Sequence, residues 1–112
     1  YAGVYRSGDG GDSWDLQGAS SLPRGSVGRV EVAVAPSSPS VVYALFESVG
    51  GVPQFWRTAD GGASWAMMSS GEAACDGQCW YNMVLRVSPA NPDALLRGTI
   101  LLYQSTDGGA RW

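Results

Sequence analysis

The chain has 112 residues, only 15% of them charged, and a formal net charge of −3. It has no basic run, so it lacks the electrostatic footprint of a nucleic-acid binder, and no apolar run near the roughly 20 residues of a membrane-spanning helix. It also has no His, which removes Ser-His and Cys-His nucleophile pairs and the commonest zinc ligand, so chemistry here would rest on carboxylates, Tyr or Arg. With 16 Gly, five Trp and five Tyr, the composition suits short strands joined by tight turns.

In chain order, residues 1–18 predict two strands around the turn Ser7-Gly8-Asp9-Gly10-Gly11-Asp12-Ser13-Trp14. The next strand is expected over Gly28–Ala35, where Val30, Val32 and Val34 alternate with Glu31, Ala33 and Ala35. Pro36 and Pro39 end it, because Pro cannot donate to a sheet ladder. Further strands are expected over Val41–Ser48, Val52–Thr58 and Ser64–Ser69, the last two around Thr58-Ala59-Asp60-Gly61-Gly62-Ala63-Ser64-Trp65. Residues 81–112 predict three more strands and end on Ser105-Thr106-Asp107-Gly108-Gly109-Ala110-Arg111-Trp112.

The three octapeptides are spaced by 51 and 47 residues, and the turns Ala35-Pro36-Ser37-Ser38-Pro39 and Ser88-Pro89-Ala90-Asn91-Pro92 by 53. Such interleaved spacing marks a repeat architecture. In each octapeptide, Gly supplies positive φ for a hairpin turn. The Asp, with the Ser or Thr two residues earlier, can accept from the turn's own N–H groups. The Trp begins the outgoing strand and can fold back over the hairpin, burying a large surface.

These residues resemble the Asp-box (BNR) repeat, S/T-x-D-x-G-x-x-W, found in sialidases, xyloglucan-type endoglucanases, sortilin-type receptor ectodomains and photosystem-assembly factors. The matching positions are Ser7, Asp9, Gly11 and Trp14; Thr58, Asp60, Gly62 and Trp65; and Ser105, Asp107, Gly109 and Trp112. The resemblance implies an all-β chain, a fragment of a β-propeller. One complete four-stranded antiparallel blade (28–69) would be flanked by the end of one blade (1–18) and most of the next (81–112). Tyr1 opens within a predicted strand and Trp112 closes a motif, so both ends read as cuts through a longer protein that supplies the remaining blades.

In an up-and-down blade the octapeptides and the Pro turns share one face. The opposite face is expected to form from 17–27, 49–52, 70–78 and a tight turn near Gly98; in the resembling enzymes the substrate cleft lies there. Pro39 and Asp60 stand 21 residues apart, but Pro92 and Asp107 only 15. The six extra residues fall around Ser48–Pro53 and predict a longer loop on that face. The candidate ligand-facing residues are Glu47, Glu72, Asp76, Gln78, Trp80 and Tyr81. Two readings of Trp80 and Tyr81 stand: sugar stacking, or packing between blades. Cys75 and Cys79 form either a local disulfide, which favours an oxidising, extracellular or periplasmic compartment, or a pair of free thiols.

No residue of the chain is assigned a catalytic role, and no cofactor or metal is expected. A glycosidase of the usual kind needs two carboxyls at a defined separation, and the arginines show no pattern matching the cluster sialidases use. The leading expectation is an extracellular propeller module that binds polysaccharide or a protein ligand. The alternative is part of a secreted glycoside hydrolase, xyloglucanase-type or sialidase-like, with most catalytic residues outside this stretch. An assembly factor fits less well with the cysteines.

Overall fold

The computed structural model describes residues 2–18, 20–75 and 78–112; Tyr1, read from the sequence as part of a strand, lies outside them. The described chain is all-β, with nine strands in three open antiparallel sheets. The first sheet pairs β1 (Tyr5–Arg6) with β2 (Asp15–Leu16). The second runs β3 (Val30–Val34), β4 (Val42–Val49), β5 (Val52–Thr58) and β6 (Ala66–Ser70) in chain order. The third runs β7 (Val84–Val87), β8 (Leu95–Gly98) and β9 (Leu102–Ser105). Among the described residues, helical structure amounts to one 3-10 turn, Gly71–Ala73. No helix among the described residues is long and apolar enough to cross a membrane.

The second sheet is covered on both faces, and its sequence shows why. Successive side chains of a strand point to opposite faces, so a strand buried on both sides reads as a continuous apolar run. On β4, Tyr43 and Leu45 face one way with Phe55 of β5, and meet Met83 and, in the third sheet, Leu85 and Leu95. Ala44 and Phe46 face the other way with Trp65, and meet Val4 and Leu22. Burying an aromatic such as Phe55, which has no exposed surface, contributes about 3 kcal/mol.

Two features set the stagger of one sheet on the next. Arg6 donates to the Gly61 carbonyl at 3.1 Å. Arg57 donates to the Tyr43 hydroxyl at 3.2 Å and pairs with Asp93 at 3.2 Å, while that hydroxyl donates to the Pro92 carbonyl at 2.8 Å. Each Arg directly precedes the Ser or Thr of its own turn and reaches a turn of the following sheet. In the third copy the position is Gln104.

The structure corrects the expected long loop at Ser48–Pro53. The extra residues lengthen the hairpin: β4 has eight residues and β5 seven, against four each in β8 and β9. Gly50 and Gly51, at φ 60° and 90°, close it in two residues. A bulge between Phe46 and Val49 lets the ladder continue, and Val27 bridges Val49 from the other side. The first Trp also departs from expectation. All three occupy the same motif position, yet Trp65 is 8% exposed and Trp14 is 60% exposed. Trp65 has a neighbouring sheet to pack on, whereas Trp14 sits on a sheet of two strands. Val32 and Val34 stay largely exposed for the same reason, since β1 and β2 occupy only part of that side.

Candidate functional site

At one end of the sheets lie the three Asp turns. Their tie to the Pro turns is direct: the Gly61 N–H donates to the Ser40 carbonyl at 2.9 Å, and Gly108 to Asp93 at 3.0 Å. In the second turn the Thr58 hydroxyl donates to Asp60 Oδ1 at 2.7 Å and accepts from the Gly62 N–H at 3.0 Å. Asp60 also accepts from the Ser64 N–H at 2.9 Å and from the Ser64 hydroxyl. Ser7, Asp9 and Gly11 repeat this with Ser13; Ser105, Asp107 and Gly109 repeat it with Arg111. The indoles of Trp14 and Trp65 fold back to donate to Gly11 and Gly62 at 3.1 Å.

Each Asp carboxylate therefore has both oxygens committed to its own turn, which leaves it poorly placed for a reaction or an ion. The hydroxyl and N–H of Ser13 and Ser64 hold Asp9 and Asp60 well below the usual carboxylate range. Asp107, held mainly by the Arg111 side chain, falls to about 2. Folded-state values below the unfolded one make these groups stabilising above about pH 4, and the contribution fades as pH falls through the folded values. The melting temperature should thus drop steadily between about pH 4 and pH 2, and carboxyl carbon shifts should show Asp9 and Asp60 still ionised at pH 3. Protonation of both near pH 4 would contradict the hydrogen-bonded geometry.

The opposite end carries the other candidates. After β6 the chain makes the 3-10 turn Gly71–Ala73, and Cys75 and Cys79 form a disulfide, both sulfurs buried. Asp76 and the side chain of Glu72 lie outside the described structure. Gln78 is half-buried, and its carbonyl accepts from the N–H groups of Tyr81 and Asn82 at 3.2 and 3.3 Å. Trp80 and Tyr81 follow, 64% and 71% exposed, with ring centroids 5.6 Å apart. Neither ring is packed between the three described sheets. The backbone beneath them is fixed: Cys79 and Met83 are 2% exposed, the Arg29 guanidinium donates to the Tyr81 carbonyl at 3.1 Å, and Asn82 donates to the Thr99 carbonyl at 3.2 Å. Two aromatic rings in solvent on an anchored backbone make a preorganised stacking surface.

A small hollow of about 170 Å³ is lined by Glu47, Gly51, Pro53, Cys75 and Cys79, the last of these directly preceding Trp80 in the chain. A larger hollow, about 460 Å³, opens at the other end between the first two sheets. Its walls include Val32, Val34 and Val42, and its carboxylate is Asp60, already engaged in the turn. It is the gap beside the short first sheet, and its chemistry offers a ligand little.

Two arginines that sequence reasoning passed over organise this region. Arg97, 1% exposed, lies over the rings of Tyr103 and Trp112 at 4.5 and 4.7 Å. It donates to the carbonyls of Ala73, at 3.0 Å, and Ala74. Its signal was available: alternation from buried Leu95 puts Arg97 on the same inward face. Arg29 gives no comparable signal, because its partner lies 52 residues away. Compared with known protein families, curated proteins and solved structures, the chain matches none.

Proposed function

We propose that this chain is a stretch of an extracellular Asp-box β-propeller whose loop end binds carbohydrate. The propeller reading is supported by three up-and-down sheets that stack face to face in chain order, with β3 beside β7. It is supported too by a repeated turn whose Asp, Gly and Trp serve the hairpin. The disulfide favours an oxidising compartment.

The observation that carries the binding function is the exposed Trp80–Tyr81 pair on a backbone segment tied down by Arg29 and Asn82. The two faces of a pyranose ring differ in polarity, and the apolar one stacks on an aromatic side chain while edge hydroxyls seek polar groups. Trp80→Ala should weaken binding to a soluble neutral oligosaccharide about tenfold, which corresponds to roughly 1.4 kcal/mol. Stability should change by less than about 0.5 kcal/mol, because the side chain is mostly solvated. Calorimetric titration paired with a thermal melt reads both quantities. A large fall in melting temperature with unchanged affinity would reverse the assignment.

A further inference from the structure

Gly28 has ordinary backbone geometry, so its lack of a side chain calls for a different account. A Cβ built there would come within van der Waals overlap of Glu47 Oε2 and 2.8 Å from Glu47 Cδ. The Glu47 carboxylate occupies the volume that any other residue at position 28 would fill. Glu47 also lines the hollow walled by Gly51, Pro53 and the disulfide. The hollow is joined to the aromatic pair by two covalent steps: Cys79 precedes Trp80, and Arg29, whose guanidinium holds the Tyr81 carbonyl, follows Gly28.

Resting on the carbohydrate reading above, we infer that the Gly28–Glu47 hollow is a subsite for the donor-bearing edge of a sugar, neutral or amino, and that it excludes acidic sugars. A carboxylate offers acceptors only, so its partner must be hydroxyl or ammonium donors, and a uronate or sialate carboxyl meets like charge. The loop sequence from Gly71 to Leu85 carries Glu72 and Asp76 and no Lys or Arg, and the Arg97 guanidinium that reaches this loop is buried and engaged with the Ala73 and Ala74 carbonyls. Arg29, the adjacent cation, is engaged with the Tyr81 carbonyl and lies 4.0 Å from Glu31. At about 170 Å³ the hollow holds about one sugar ring's edge, while Trp80 takes the face of its neighbour. This geometry argues against a sialidase-like specificity at this end of the chain.

The test titrates the chain with three β- or α-1,4-linked tetramers: glucosamine, glucose (cellotetraose) and galacturonate. The wild type should bind the glucosamine and glucose tetramers more tightly than the galacturonate tetramer. Glu47→Gln should narrow the gap between glucosamine and galacturonate about fivefold, the upper range for a solvent-accessible charge pair. Gly28→Ala should do the same by displacing the carboxylate, at a modest cost in melting temperature, because the closest atoms are the free end of the flexible Glu47 side chain and only Ser48 Cβ, at 3.3 Å, must also give slightly. Preference for galacturonate, or unchanged selectivity in both variants while Trp80→Ala still weakens cellotetraose binding, overturns the Glu47 subsite and leaves the aromatic platform standing. Failure of the wild type to bind any tetramer refutes the carbohydrate reading and the subsite with it.

Discussion

Gly109→Ala should destabilise the chain by about 2–5 kcal/mol, far more than the same substitution in either earlier copy of the turn. Two costs combine. Gly109 has φ 88°, and a Cβ in the left-handed region costs about 1–2 kcal/mol. That Cβ would also overlap Phe55 Cε1, with Cδ1 at 2.6 Å. Phe55 has no room to yield: it is fully buried, stacked on Tyr43 at 5.5 Å and edge-on to Trp112 at 5.2 Å. Overpacking a filled core costs about 1–3 kcal/mol. Gly62 shares the backbone conformation, but its Cβ would meet only the Gln17 amide, a movable side-chain end, and at Gly11 the nearest atom is 3.9 Å away. Denaturant unfolding should therefore rank Gly11→Ala, Gly62→Ala and Gly109→Ala in increasing order of damage. Adding Phe55→Ala to Gly109→Ala should make the pair cost less than the sum of the singles by about 1 kcal/mol or more. Equal costs at all three glycines would show that the sheet-to-sheet contact contributes nothing.

That gradient marks where the sequence could be read and where it could not. The turns were legible because everything that shapes them lies within eight residues: hydroxyl, carboxylate, two glycines and indole satisfy one another. β4 was legible because burial on both faces leaves an unbroken apolar run. What surrounds each turn was not legible, because it is decided by residues about 50 positions away. Octapeptides that share the same motif thus end with Trp65 buried and Trp14 in solvent. The six extra residues around Ser48 could be loop or strand from sequence alone. The choice fell to a bulge in β4 and to pairing with Val27 and Gly28, neither of which leaves a local pattern. The candidate ligand end was legible as a neighbourhood, since the Trp80–Tyr81 pair follows two cysteines. The outward direction of the rings, the carboxylate over Gly28 and the arginine under the loop all depend on tertiary packing.

That buried arginine carries the second large effect. Arg97→Ala should cost about 3–5 kcal/mol, because it removes a large buried side chain and strands carbonyls that the guanidinium now satisfies. Two roles are combined in Arg97, and substitutions can separate them. As filler it packs over the rings of Tyr103 and Trp112; as donor it ties Ala73 and Ala74, the approach to the disulfide, to the third sheet. Arg97→Met keeps most of the volume and avoids burying a charge, so its global cost should be well below that of Ala. It supplies no donor, so the loop should still loosen. Hydrogen exchange at the Ala74 and Cys75 amides, both bonded to the Gly71 carbonyl at 3.0 Å, should quicken in Arg97→Met while the β3–β4 ladder stays protected. Arg97→Lys should fall between, since an ammonium can reach a carbonyl but lacks the planar surface for the two rings. If the arginine is the tie that keeps Trp80 and Tyr81 poised, Arg97→Met should also weaken oligosaccharide binding at nearly unchanged stability. Exchange in the loop that matches wild type in the Met variant would mean that the disulfide and Arg29 suffice to hold the platform, leaving Arg97 a purely packing role.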